Sequence, residues 1–359
     1  MILVRAPLRI SFVGGGTDLP DFYVQYPGRV LSATIDKYVY VVINETPLID
    51  RLTAKYSKTE SVTHPSHLEH PSIRAALLHL GIIQKGIEIG SFADLPSKTG
   101  LGSSSSFAVA LMKGLYALLS KKMSAEEAAQ AACHLEIELL KEPIGKQDQY
   151  AAAYGGFNVF QFNAEGSVAV SPVFLDFKKK SLLEEHMLLF YTGITRAASS
   201  ILSDQRKKIN AHIETYKKMS DSVLEFERLL LAGEVRGLGE MLDMGWLAKK
   251  SLSQNISNEA IDALYTAARR SGAWGGKVLG AGGGGCLLML ASPLSLGEIR
   301  KSVHEMATRK GLKDFREIPV RFVQAGSGVL LNHHQQVSSF SSVSTNSMPS
   351  PKWLISNAS

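Results

Sequence analysis

Cysteine is nearly absent from the chain: two residues in 359, Cys133 and Cys286, far apart and each in an apolar context. That excludes a disulfide-built scaffold, and neither cysteine has metal-ligand spacing, so two buried, reduced thiols are expected. Long apolar runs are missing too. No stretch approaches the roughly 20 residues of a membrane span, and the first residues lack a signal-peptide layout. No membrane partner is therefore expected, and the expected compartment is the cytoplasm. Charge of one sign is never concentrated: lysine and arginine are scattered, with Lys178–Lys180 as long as any basic run. The formal charge of +6 mildly favours anionic ligands, but it is too dilute for a nucleic-acid surface. No Ser/His/Asp layout, CxxC pair or HExxH occurs, no Gly-Lys-Ser/Thr ends a Walker A loop, and no first-strand GxGxxG points to a dinucleotide fold.

What remains is an ordinary globular composition, 45% hydrophobic and 20% charged, long enough for one large domain or two modest ones. Glycine is plentiful, and much of it gathers in three places. The stretch Pro96 to Ala110, PSKTGLGSSSSFAVA, organises the rest. Gly100 and Gly102 permit a tight backbone turn, four serines follow from Ser103 to Ser106, and apolar residues then recur at helical spacing. A glycine loop running into a helix N-terminus gathers free N–H groups and the positive end of the helix dipole, which suits an anion. The serine hydroxyls can donate to phosphate oxygens or ligate a magnesium ion that bridges them. A serine-capped helix after a turn is the plainer alternative.

The pattern along the chain is α+β. Strands are expected at Ile2 to Phe12, Val30 to Ile43, Gly86 to Phe92, Phe157 to Phe162, Val168 to Phe177 and Leu188 to Thr192. Two more are expected near Pro319–Val323 and Val329–Leu331. Pro47 to Pro71 reads as polar and irregular. Helices are expected at Ile73 to Leu80, from the serine run to about Ser120, and from Ser124 to Lys141. That last one opens with a capping box, Ser124 and Glu127. Further helices are expected over Gln147 to Tyr154, Ala197 to Leu231, Gly237 to Lys250, Asn258 to Gly272 and Ser295 to Lys310. From His333 to Ser359 the composition turns to Ser, Asn, Gln and Pro, which reads as a disordered tail or a cloning remnant.

Three glycine motifs stand in order: RAPLRISFVGGGTDLP from Arg5, the serine-rich loop, and KVLGAGGGGCLLML from Lys277. In that order they resemble the GHMP kinases, the family of galactokinase, homoserine, mevalonate and phosphomevalonate kinases. The resemblance covers roughly Ile2 to Leu331. It implies the GHMP kinase fold, with an N-terminal ribosomal-protein-S5-like half and a C-terminal ferredoxin-like half around a cleft. The implied domains are 1–180, binding ATP, and 181–332, with 333–359 as the tail. It also implies ATP and Mg2+ as cofactors. By the same resemblance, Lys98, Gly100, Leu101, Gly102, Ser103, Ser104 and Ser105 hold the nucleotide, and Glu136 with Ser104 ligates the metal, Ser103 and Ser105 being near rivals. Asp148, in GKQDQYAAAYGG, matches the catalytic aspartate, and Arg9 matches a basic residue near the transferred phosphoryl group. Asp18 matches the acid that binds sugar hydroxyls, with Gly15, Gly16 and Thr17 beside it.

Position on the helices bears on these residues independently. Asp148 falls in the first turn of its helix, where negative charge is favoured, and a carboxylate there can take the proton of an attacking hydroxyl. Glu136 and Glu138 are two apart and so face differently, Glu138 being read as a solvated charge. Lys146 is read either as helping to place charge or as a surface residue. Gly282 and Gly283 let backbone approach substrate or the phosphate loop, or form a hairpin turn. Arg196, just before a helix, offers a charged fork for a phosphate on the acceptor.

Three segments, GGGTDLPDFY, PIGKQDQYAAAYGG and YTGITRAASSIL, resemble bacterial D-glycero-D-manno-heptose 7-phosphate kinases. That implies phosphorylation of the anomeric hydroxyl of a sugar phosphate, giving the 1,7-bisphosphate for surface polysaccharide. L-fucokinase is the alternative, with galactokinase less favoured because Gly15-Gly16 replaces the usual Glu-His. A sugar and nucleotide sensor without turnover is the alternative of another class. A homodimer is compatible with the sequence.

Overall fold

The computed structural model describes residues 1–84, 86–195 and 198–333, the side chains of 198–200 excepted. Two sheets carry the fold. The larger has eight strands: β1 (Ile2–Val13), β2 (Gly28–Glu45), β3 (Leu52–Lys55), β4 (Thr59–Val62), β5 (Ile87–Ala93), β6 (Phe157–Phe162), β7 (Val168–Pro172) and β12 (Gly328–Asn332). The smaller has β8 (Met187–Tyr191), β9 (Ala273–Val278), β10 (Cys286–Ala291) and β11 (Arg316–Glu317), in the spatial order β11-β8-β10-β9. Numbered within this half, that order is 4-1-3-2 and every pair is antiparallel, the arrangement of a ferredoxin-like unit.

The helices of the first half are α1 (Pro20–Tyr23), α2 (Pro71–His79), α3 (Ser103–Leu118), α4 (Ala125–Cys133), α5 (Gln147–Tyr154) and α6 (Phe177–Glu185). Those of the second are α7 (Ala198–Lys208), α8 (Ile213–Ala232), α9 (Val235–Leu252), α10 (Glu259–Arg270) and α11 (Leu296–Arg309). β2 is long because it serves two neighbours on one edge: its first residues pair with β6 and its last with β5, while β1 runs along the other edge. α3 is apolar on nearly every side, with Val109, Leu111, Met112 and Leu115 all buried. A helix apolar all round belongs inside a domain, and here it lies between the large sheet and helices α4 and α5. The halves meet at Phe12, whose ring stacks on Phe157 of the large sheet and on Phe226 of α8, with centroids 6.4 and 5.5 Å away. Cys133 and Cys286 are both buried and free. Among the described residues no helix is long and apolar enough to cross a membrane.

Several expected elements come out differently. The supposedly irregular Pro47–Pro71 contains β3 and β4, because Leu52 and Ala54 face the core and β3 pairs in parallel with β5. The second strand of the 157–177 region ends at Pro172. Asp176 then caps α6, accepting from the Lys179 N–H at 2.8 Å. The long helix expected to reach Leu231 is broken at Asn210–His212. The expected strand near Pro319–Val323 is instead an isolated bridge from Phe322 to Ile35, and the paired strand lies at Arg316–Glu317. β12 returns to pair with β1, so residues 328–332 belong to the first sheet. Of the expected tail, residues 334–359 lie outside the described residues.

Candidate active site

The three glycine motifs converge on one cleft of about 780 Å³, within the usual range for small-molecule sites. Gly102 sits in the left-handed region and precedes α3 with no side chain capping the first turn, so N–H groups at that helix end are available. The loop is gripped from two sides. The Arg9 N–H donates to the Leu101 carbonyl at 3.0 Å and the Cys286 N–H to the Thr99 carbonyl at 2.9 Å. Gly100 has φ +77°, and a Cβ there would lie 2.4 Å from the Leu279 carbonyl oxygen. Only glycine lets the serine-rich loop rest against the third motif at this point.

Glu136 reaches the cleft through a local widening of the helix. α4 passes into a π-turn over His134–Leu139, and such turns frequently mark functional positions. Glu136 is buried there, whereas Glu138 points outward and pairs with Lys141 at 3.8 Å. Ser104 Oγ donates to Glu136 Oε1 and Gln149 Nε2 to Glu136 Oε2, both at 2.7 Å. Burial pushes the Glu136 carboxyl up, while the hydroxyls of Ser104 and Ser105 and the Gln149 amide oppose the rise. A buried carboxylate beside hydroxyls at an uncapped helix N-terminus suits a hard cation. Ser103 has no such contact with Glu136 among the described residues.

Arg9 forks onto Asp148, Nε to Oδ1 at 2.8 Å and Nη2 to Oδ2 at 2.7 Å, and its Nη1 donates to the Gly100 carbonyl at 2.6 Å. One guanidinium thus ties the start of α5 to the serine-rich loop. Asp18 lies beside this pair. It accepts from the Gly16 N–H at 3.1 Å, the Gln147 N–H at 3.2 Å and Gln147 Nε2 at 2.9 Å. Burial pushes the Asp18 carboxyl up, and the nearby Asp148 charge adds to the rise. Gly145 makes room for it, since a Cβ there would come within 2.0 Å of Asp18 Oδ2. Away from these charges the cleft wall turns aromatic. Phe107, His70 and Tyr56 form a run with centroid spacings of 5.3 and 4.7 Å, and Val39, Phe92 and Leu95 continue the lining.

Arg9, Gly15, Gly16, Asp18, Lys98, Gly100, Gly102, Ser103, Ser104, Ser105, Glu136 and Asp148 all line this cleft. Four expected residues do not. Thr17 is fully buried, and its hydroxyl donates to the Arg29 carbonyl at 2.8 Å while accepting from the Arg29 N–H at 3.0 Å; it braces the turn instead of facing ligand. Leu101 contributes its carbonyl, its side chain lying in the core. Gly282 and Gly283 turn toward Ile256 and Asn258, the Gly283 N–H donating to the Ile256 carbonyl at 2.8 Å. Gly280 and Ala281 line the cleft in their place. Lys146 faces away, donating to the Gly166 carbonyl at 2.6 Å. Arg196 lies outside the described residues.

Sequence reasoning missed Gln147, Gln205, Lys249 and Lys277. Lys277 is buried, and its Nζ donates to the carbonyls of Ser11 and Phe12 at 3.0 and 2.8 Å. Burial holds its ammonium well below the usual lysine range. Lys249 had a legible signal: it follows Leu238, Leu242 and Trp246 at helical spacing, on the buried stripe of α9. Lys250, its neighbour, is the surface residue and pairs with Asp262 at 2.5 Å.

Comparison with known proteins bears on the family and the fold. The chain matches the GHMP kinases N terminal domain over residues 71–156 and the GHMP kinases C terminal over residues 226–308. It is 28% identical over 337 residues to the D-glycero-alpha-D-manno-heptose 7-phosphate kinase of Campylobacter jejuni, covering 88% of this chain and 99% of that protein. It is 28% identical over 332 residues to the bifunctional fucokinase/GDP-fucose pyrophosphorylase of Arabidopsis thaliana, covering 85% of this chain but 31% of the relative. Among solved structures, a D-glycero-D-manno-heptose 1-phosphate kinase from Bacteroides thetaiotaomicron superposes with a TM-score of 0.75 at 27% identity. That match covers 91% of this chain and 98% of the other. Fold and family together define the class, a small-molecule kinase made of two halves. The chain belongs to the GHMP kinases, and within them it is a sugar kinase.

Proposed function

We propose that this kinase uses ATP and Mg2+ to phosphorylate the anomeric hydroxyl of D-glycero-D-manno-heptose 7-phosphate, giving the 1,7-bisphosphate. The observation that carries the chemistry is the Arg9 fork, which links Asp148 to the phosphate loop through the Gly100 carbonyl. Phosphoryl transfer demands positioning and charge stabilisation more than covalent help from protein. The acceptor oxygen bonds to the γ-phosphorus as the bond to the β–γ bridging oxygen breaks. ADP leaves with that oxygen, and the hydroxyl proton passes to the Asp148 carboxylate. Arg9 aligns Asp148, and Asp18 with Gln147 orients the sugar. The N–H groups at the start of α3 hold nucleotide phosphates, and the slot of Tyr56, His70 and Phe107 suits a flat base.

Among the described residues no group of three carboxylates, histidines or cysteines is placed to hold a metal. The site offers one carboxylate and neighbouring hydroxyls, which fits magnesium arriving with phosphate oxygens and water. When bound, the ion supplies charge neutralisation along the phosphates. Glu136→Gln is expected to keep the fold and raise the magnesium concentration for half-maximal activity several-fold. A magnesium titration at fixed ATP checks this, and an unchanged midpoint would remove Glu136 from metal binding.

Two relatives named for heptose phosphates support the acceptor, though their names place the substrate's phosphate at different carbons. The fucokinase likeness favours an unphosphorylated sugar as the second reading. ADP release measured with heptose 7-phosphate, fucose, galactose and mannose separates them. Heptose 7-phosphate is expected to give the highest kcat/KM by at least about tenfold, or roughly 1.4 kcal/mol. A sensor without turnover would release no ADP with any of them.

A further inference from the structure

Two donors on the second half's side of the cleft have more hydrogen-bonding capacity than partners. Lys249 is buried, and its ammonium makes one hydrogen bond, to the Gly280 carbonyl at 2.5 Å. No carboxylate lies within ion-pair distance of it among the described residues. Gln205 of α7 is 2% exposed, lines the same cleft, and its amide nitrogen has no acceptor among the described residues. An ammonium buried with no carboxylate in ion-pair distance, in the same cleft as an unpaired amide N–H, is costly unless something brings negative oxygen to each.

We propose that Lys249 and Gln205 form the subsite that holds the acceptor's own phosphate. This rests on the reading that the acceptor is a sugar phosphate. A phosphate presents only acceptor oxygens and negative charge, which is what an ammonium and an amide N–H lack here. The charges around Lys249 favour the acceptor side. Lys249 lies within electrostatic reach of Arg9, Asp18 and Asp148, the groups at the acceptor, whereas the metal-side carboxylate Glu136 is outside that set. The nucleotide phosphates are assigned to the N–H groups of α3, and the KM for ATP in the test below tells the two sites apart. Lys277 is not a second anchor, because its ammonium is already shared between two β1 carbonyls. Burial draws the Lys249 ammonium down to about 8, with Arg9 adding to the fall. An anion beside it offsets both effects.

The test uses the full chain with Lys249→Met, Gln205→Leu and, as a control, Lys250→Met on the neighbouring surface pair. With sugar phosphate as acceptor, Lys249→Met is expected to raise its KM by about 10- to 150-fold, the range for one charge-assisted contact. The KM for ATP should stay put, and the weak use of the unphosphorylated sugar should be unchanged. Gln205→Leu is expected to act in the same direction by less, and Lys250→Met not at all. A second arm needs no substrate assignment. With the nucleotide site filled by magnesium and AMPPNP, millimolar inorganic phosphate should raise the melting temperature of the wild type and of Lys250→Met, but not of Lys249→Met. Lys249→Met should itself melt no lower than wild type, since an unpaired buried charge is removed; Lys249→Gln serves if it does not fold. If phosphate protects through Lys249 but heptose 7-phosphate is not turned over, the subsite stands and the acceptor assignment falls. Phosphate protection that survives in the lysine variants would overturn the subsite. So would a loss of kcat that is equal for phosphorylated and unphosphorylated sugars, which would move Lys249 to the transferred phosphoryl group.

Discussion

Asp148→Asn is expected to leave a folded protein that binds nucleotide but turns over at least about 100-fold more slowly, the lower end for a lost general base. The amide cannot take the acceptor's proton, which is the direct loss. It also disturbs Arg9, which forks onto both carboxylate oxygens at 2.8 and 2.7 Å. Asparagine keeps one oxygen for that fork, and the Gly100 carbonyl remains as the other acceptor. The Asp148 side chain is 25% exposed, so solvent softens the loss of the pair, and a fall of about 2–4 °C in melting temperature is expected, equivalent to about 1 kcal/mol. Because Arg9 and Asp148 act as a unit, Arg9→Met and the double variant should cost far less together than the two singles summed. Steady-state ADP release with parallel melting curves tests all of this. Turnover near the wild-type rate in Asp148→Asn would take the residue out of the chemistry.

Gly100→Ala is expected to be nearly as damaging by a different route. Its φ of +77° costs an alanine about 1–2 kcal/mol, and the new methyl would meet the Leu279 carbonyl at 2.4 Å. The loop must move off the third motif, and with it goes the carbonyl that Arg9 holds. The KM for ATP is expected to rise at least about tenfold, or 1.4 kcal/mol of binding, with a lower melting temperature. Gly81→Ala is the control: its φ is also positive, at +66°, yet nothing lies within 4 Å of the added methyl. It carries the backbone cost without the collision and is far from nucleotide. Equal effects of the two substitutions would mean that the contact between the motifs is unimportant.

The sequence carried the three motifs, the caps and most helices because each is a local pattern with a local physical cause. Ser124 and Glu127 form the expected capping box, and Asp148 falls in the first turn of α5. Misreadings arose where a partner distant in sequence decides. β3 and β4 look polar until β5 supplies a parallel neighbour for Leu52 and Ala54. Thr17 sits beside cleft-lining glycines, but the strand that begins at Gly28 brings Arg29 against its hydroxyl. The aromatic slot was illegible because Tyr56, His70 and Phe107 come from separate elements. Lys249 was read past because two adjacent lysines near a helix end look like solvent-facing charge, although only one of them is.

The pairing of β1 with β12 has a consequence for how the protein is made. Ile2 lies opposite Asn332, so the outer edge of the first strand waits for a partner near the other end of the described chain. At about 5–20 residues per second, a ribosome needs roughly 15–65 s to supply it. Through that interval the nascent first half carries a bare sheet edge, open to pairing with other chains. The large sheet is therefore completed only after about 330 residues have been made, and until then the Ile2–Arg5 edge has no partner.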